Sequence, residues 1–128
     1  MNVHDLSDLF VLLVEAALDP TKRANPELFG PRAYFFAQSG VHQWGEVARW
    51  VADEAHRQGF LKEPTVKKTD MAGIQTDVGN STWGLNSKSV ASRARKYLGW
   101  SPKRRSLKEE IPDIVAAEAK LLGLKPSK

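Results

Sequence analysis

Ala33-Tyr34-Phe35-Phe36-Ala37, followed by the turn Gln38-Ser39-Gly40, is the stretch on which the fold class rests. A run this short, aromatic, and apolar on both alternating faces predicts a strand buried on both sides. Downstream, residues 43–58 carry helical spacing, with Trp44, Val47, Ala48, Val51 and Ala55 on one face and Glu46, Arg49, Asp53 and Arg57 on the other. Arg49 with Asp53, and Asp53 with Arg57, are opposite charges one turn apart, each pair worth ~0.2–0.5 kcal/mol. Gly59 is placed to end that helix in a left-handed turn. Thr65-Val66-Lys67-Lys68 then predicts a second short strand. Strand, helix and strand within ~35 residues make a βαβ unit, whose strands lie parallel with a right-handed crossover. Two strands alone leave both outer edges open, so such a pair needs further cover.

Upstream, Asp5 is positioned to cap a helix whose apolar positions Leu6, Leu9, Phe10, Leu13, Val14 and Ala17 follow one face. Val11, Leu12, Ala16 and Leu18 widen its apolar surface nearly all the way round. Asp19-Pro20 closes it, and Asn25-Pro26 and Gly30-Pro31 punctuate a polar loop expected to hold no core element. Beyond the second strand, residues 69–85 carry Gly73, Gly79 and Gly84 with little periodicity and predict a long loop. Asn86 or Ser87 is expected to cap a helix with Val90, Ala91, Ala94, Tyr97 and Leu98 inward and Gly99 as its stop. Ser106-Leu107-Lys108-Glu109 is a capping box. It opens a last helix with Leu107, Ile111, Ile114, Val115, Ala119 and Leu122 inward, Pro112 as a kink and Gly123 as terminator. The expected fold class is therefore α/β and α-rich: four main helices with a small parallel βαβ strand pair, one unit over residues 1–124, and a disordered tail at 125–128.

A chain of 128 residues with 41% apolar and 27% charged residues has the size and composition of one globular domain, which excludes disordered and collagen-like classes. The absence of cysteine removes disulfides, thiolate nucleophiles and thiolate metal sites together, and suits a reducing compartment. The longest apolar stretch, Leu9 to Leu18, is broken by Glu15 and falls well short of the roughly 20 residues that cross a bilayer. His4, Asp5 and Asp8 precede it where a secretory signal would carry basic residues. The expectation is a cytoplasmic protein without a membrane partner. His42 and His56 do not have the spacing of metal ligands.

The net charge of +4 is unevenly spread: Lys88, Arg93, Arg95, Lys96, Lys103, Arg104 and Arg105 follow one another with no acid among them. One function this suggests is a basic helical interaction module binding nucleic acid or an acidic partner through residues 88–105, with Tyr97 and Trp100 as stacking platforms. Cations near a helix C-terminus also suit its dipole, and both aromatics fit helix packing, which makes nucleic acid the less favoured partner.

Four stretches, in order and over nearly the whole chain, carry a resemblance. They are Asn2 to Leu9; Ala33 to Ala37 with Trp44-Gly45-Glu46-Val47; Trp83 to Ser89 with Leu98-Gly99-Trp100-Ser101-Pro102; and Ser106 to Ile111. Together they resemble the C-terminal substrate-binding region of extended short-chain dehydrogenases/reductases, the NAD-dependent epimerase/dehydratase family. The resemblance implies a small-molecule substrate, and NAD or NADP as cofactor of a full-length relative. It also implies that Asn2, His4, Trp83 and Asn86 line the substrate cleft. The sequence departs from the family in two places that carry chemistry. No Gly-rich turn is present, since Gly40, Gly45 and Gly59 are far apart. The family's Tyr-x-x-x-Lys pair is missing too: Tyr34 is followed four residues on by Gln38, and Tyr97 by Ser101. Without that Lys nothing lowers a phenol pKa from about 10 toward the operating range.

No catalytic, cofactor-binding or metal residue is therefore assigned in this chain, and a Rossmann-type nucleotide-binding domain or chain is the expected partner. Gln75 to Thr82 contains Asp77 but no Arg, which puts a nucleotide-sugar substrate in doubt. A general-base role for adjacent His4 and Asp5 is disfavoured, because neighbouring side chains on a helix point apart.

Overall fold

The computed structural model describes residues 1–68 and 88–127. Its described residues form six helices and no strand: α1 (Val3–Leu18), α2 (Pro20–Arg23), α3 (Pro26–Phe29), α4 (Trp44–Arg57), α5 (Ser92–Leu98) and α6 (Leu107–Leu121). They divide into two compact units. Unit 1 comprises Met1–Gly40 with Lys88–Ser106, and unit 2 comprises Val41–Ser87 with Leu107–Lys128.

In unit 1, α1 begins one residue after Asn2, whose Oδ1 accepts the His4 N–H at 2.8 Å. Asn2, and not Asp5, is thus the N-cap, and Asp5 is free for another task. Asp19 ends α1 and starts α2: its N–H donates to the Glu15 carbonyl while its carboxylate accepts from Thr21 and Lys22. Asn25 repeats the device for α3 by accepting the Glu27 N–H, with Pro26 at the first helical position. The proline-punctuated stretch expected to contribute nothing therefore holds two short helices, and it supplies Leu28 as a buried residue.

The core of unit 1 is Leu9, Ala91, Ala94 and Trp100, with Leu12, Leu13, Phe35, Ala37 and Leu98 packed against it. The inward face of α1 is rotated from the expected one: Phe10 and Val14 are exposed, and Asp5, Leu9 and Ala16 are buried. α5 starts at Ser92, later than expected, with Val90 exposed; the cap expected at Asn86 or Ser87 lies outside the described residues. Gly99, at φ +64°, ends α5 as anticipated.

The βαβ expectation is overturned. Residues 33–37 carry neither helix nor ladder, and only alternate side chains turn inward: Phe35 and Ala37 reach the core while Tyr34 and Phe36 face out. The sequence shows apolar residues on both sides, but this unit supplies cover for only one. Residues 61–68 are exposed throughout, and the Thr65 N–H turns back to the Glu63 carbonyl. The two segments do not even belong to the same unit, and a strand without a partner leaves its backbone groups to water.

Unit 2 is a pair of packed helices, α4 and α6. Its buried residues are Ala52 from α4 and Ile111, Val115 and Ala119 from α6, the last three one turn apart along a single stripe. Trp44 and Val51, expected inward, are 47% and 38% exposed, so the buried side of α4 is centred on Ala52. Of the expected ion pairs on α4, Arg57 turns instead to Glu54, its Nε donating to Oε2 at 2.8 Å. Pro112 lies inside α6, which runs through it unbroken. Gly59 ends α4 at φ +81°, where the Gly59 and Phe60 N–H groups return to the His56 and Ala55 carbonyls. The chain end closes over this turn. Ser127 donates its N–H to the Gly59 carbonyl, and a Cβ at Gly59 would lie 3.2 Å from the Ser127 carbonyl oxygen.

Candidate functional site

The most organised polar arrangement among the described residues centres on Asp5, a residue 1% exposed on the inward face of α1. Its Oδ1 accepts the Lys103 N–H at 2.8 Å and the Arg104 N–H at 3.3 Å; Oδ2 is 3.4 Å from the latter. Its main-chain carbonyl accepts the Trp100 Nε1–H at 2.9 Å. One residue therefore fixes the indole and the backbone just beyond it. The 2.8 Å bond is the short one of the set, and a buried hydrogen bond of this kind contributes roughly 0.5–1.5 kcal/mol, with more lost when its donor is orphaned. Trp100 is 2% exposed and sits in the core with its one polar atom satisfied.

Sequence reasoning missed this role of Asp5. The available signal was periodicity: Asp5 lies one turn before Leu9, on the same stripe as Ala16. An acid on the apolar face of a helix is stable only where donors meet it.

Next to this junction is an open groove of about 320 Å³ whose lining includes Leu12, Leu98, Trp100, Asp8, Glu15 and Lys103. Asp8 also lies 3.7 Å from the Arg104 guanidinium. A lining that mixes apolar side chains with charges of both signs suits a small molecule that is itself part polar.

A second cluster ties α3 to α5. Arg93 donates to Glu27 Oε2 at 2.9 Å and also to the Glu27 carbonyl, and the Tyr97 hydroxyl reaches the same carboxylate at 3.2 Å. The guanidinium sits 5.8 Å from the Phe35 ring centre and 5.3 Å from that of Tyr97. The hydrogen bond from Arg93, then that from Tyr97 and the Arg93 charge, hold the Glu27 carboxyl below its ordinary range. In unit 2 the Glu54 carboxyl is lowered for a parallel reason, hydrogen bonds from Arg57 first and Gln58 second.

Of the residues expected to line a cleft, Asn2 is spent as the cap of α1 and His4 is exposed in its first turn. Trp83 and Asn86 lie outside the described residues. The basic run at 88–105 is not a clean stripe of cations. Arg93 is engaged by Glu27, Arg104 faces Asp8, Lys96 lies 4.9 Å over Tyr97, and Trp100 is buried away from any base. No group of three or more metal-ligating side chains is found among the described residues. None of their helices is long and apolar enough to cross a membrane.

No family model matches the chain, and no solved structure matches it. Among curated proteins it is similar to a protein named oxidase ucsJ from Acremonium sp, at 35% identity over 128 residues. That match takes in 95% of this chain but 37% of the oxidase, so the chain spans little more than a third of the length of its relative.

Proposed function

We propose that this chain is the substrate-binding part of an NAD(P)-dependent oxidoreductase of the extended short-chain dehydrogenase/reductase type, completed by a nucleotide-binding domain or chain and not catalytic alone. The observation that carries this reading is the Asp5 junction. Two of the stretches that carry the resemblance, Asn2 to Leu9 and Leu98 to Pro102, meet in unit 1 through a hydrogen bond spanning 95 positions. Their co-occurrence thus has a structural reason, and it builds the wall of the groove at Leu12, Leu98 and Trp100. The similarity to a protein named an oxidase is compatible with redox chemistry in the broad sense, and that protein's greater length leaves room for a cofactor-holding part. A cysteine-free chain suits a cytoplasmic setting.

In this reading a small, partly polar substrate lies against Leu12 and Leu98, with Lys103 or the carboxylates of Asp8 and Glu15 orienting its polar end. The missing Gly-rich turn and Tyr-x-x-x-Lys pair place hydride transfer on the partner. Two measurements test it. Titration with NADH and NADPH is expected to show no binding by this chain alone, and micromolar uptake overturns the proposal. A chimera of the Acremonium oxidase in which this chain replaces the matching stretch is expected to keep turnover with an altered KM. A chimera that folds, binds dinucleotide and turns over nothing also overturns it.

A further inference from the structure

The stretch Lys103-Arg104-Arg105-Ser106 sets three consecutive cations directly before a hydroxyl. Among all the serines and threonines of the chain, only Ser106 has a cation at both the second and the third position before it. The four residues are exposed, and residues 102–106 form neither helix nor strand. The stretch is nonetheless held in place. Asp5 accepts the Lys103 and Arg104 amides at 2.8 and 3.3 Å, so the backbone is fixed beforehand and the side chains are what a partner reads. Those side chains are lightly engaged: the Arg104 guanidinium lies 3.7 Å from the Asp8 carboxylate, with both partners half exposed. Surface pairs of that kind are weak and yield readily to a stronger anion.

We infer that Ser106 is a phosphorylation site, read by a protein kinase whose acid-lined cleft recognises Lys103 and Arg104. The Ser106 hydroxyl oxygen attacks the γ-phosphorus of ATP; the new P–O bond forms as the bond to the β,γ-bridging oxygen breaks, ADP leaves, and the hydroxyl proton passes to a carboxylate of the kinase. The charge pattern selects the enzyme class. A kinase directed by acids after the acceptor finds Glu109 and Glu110, but it must bring its basic cleft against Lys103, Arg104 and Arg105. The product suits its surroundings, because a phosphate beside three cations gains charge-assisted hydrogen bonds. It also keeps an oxygen acceptor where α6 begins, an end that favours negative charge. The consequence is a charge switch. A phosphate carries about −1.5 to −2 at pH 7, which removes most of the positive charge of residues 103–105 and competes with Asp8 for Arg104. This inference does not depend on the oxidoreductase reading.

Incubating the folded chain with ATP, magnesium and the catalytic subunit of cyclic-AMP-dependent protein kinase tests it. That enzyme is the probe because it reads basic residues two and three positions before its acceptor. The expected result is a single phosphate, mapped to Ser106 by peptide mass spectrometry, with an acidic shift in isoelectric focusing. Arg104→Gln keeps the backbone amide that Asp5 holds, so it is expected to retain the helical circular dichroism. It should be modified more slowly by roughly ten-fold or more, because it removes a cation that the kinase reads. Ser106→Ala is expected to take up no phosphate and Ser106→Thr to restore uptake. No incorporation into the folded chain overturns the inference, as does incorporation that begins only once urea has unfolded it. Phosphate mapped to another residue overturns it too. So does an Arg104→Gln rate equal to that of the parent chain, or faster modification of Ser106 by an acid-directed casein kinase.

Discussion

Unit 1 and unit 2 bury their polar groups differently. Unit 1 places a carboxylate inside: Asp5 is as deeply covered as Leu9 or Ala16, and it binds donors that lie almost a hundred positions away. Unit 2 keeps its core apolar, with Ala52, Ile111, Val115 and Ala119, and puts its polar bonds at the edge, where Glu54, Arg57 and Gln58 meet. A buried acceptor loses the full cost of desolvation when its donors are orphaned, whereas groups at the edge fall back on water. The first unit is therefore more specific and more brittle, and the second more tolerant.

Substitution at Asp5 is the most forceful way to break that contrast. Asp5→Ala removes the acceptor for Lys103 and Arg104 and leaves a cavity, an expected loss of about 3–5 kcal/mol in denaturant unfolding. Asp5→Asn retains one acceptor oxygen and should cost about half as much; equal losses for both variants would mean that the charge, and not the acceptor, matters.

In unit 2 the largest effect is expected at the α4 terminus. Gly59→Ala forces a Cβ onto a left-handed backbone at φ +81° and toward Ser127, with about 1–2 kcal/mol lost in thermal unfolding. A smaller one follows at Gln58, whose Nε2 donates to the Pro112 carbonyl at 2.9 Å. Gln58→Ala should cost about 1 kcal/mol, read from the same melts.

The smallest effect concerns pH. Glu27 and Glu54 both have carboxyl pKa values below the ordinary 4.5, so their contribution is complete above that pH and fades as pH falls through the lowered values. Urea midpoints at pH 7 and pH 3.5 should therefore differ less in Glu27→Gln than in the parent chain. An identical difference would show that the Arg93 bridge adds nothing.

The helices of unit 2 were legible because their signals are local. Gly59 and Gly123 stop α4 and α6 where the sequence places the stops, and α6 begins directly after Ser106. Unit 1 was harder to read because what organises it is distant. Asp5 looks like a cap until Asn2 takes that task, and only the fold brings Lys103 and Arg104 to it. Ala33 to Ala37 misled for a related reason: apolarity on two sides marks what wants cover, not what receives it. The groove beside Trp100 carries no local mark at all, since its lining comes from α1, α5 and the turn after α5.

The sealed indole gives the molecule an optical consequence. Trp100 lies in an apolar setting with its nitrogen bonded, while Trp44 is half open to water. With Trp44, Trp50 and Trp83 replaced by Phe, the remaining emission is expected to be blue-shifted and to move red when the indole leaves the Asp5 main-chain carbonyl and meets water. The protein thus carries a native fluorophore that watches one half of itself.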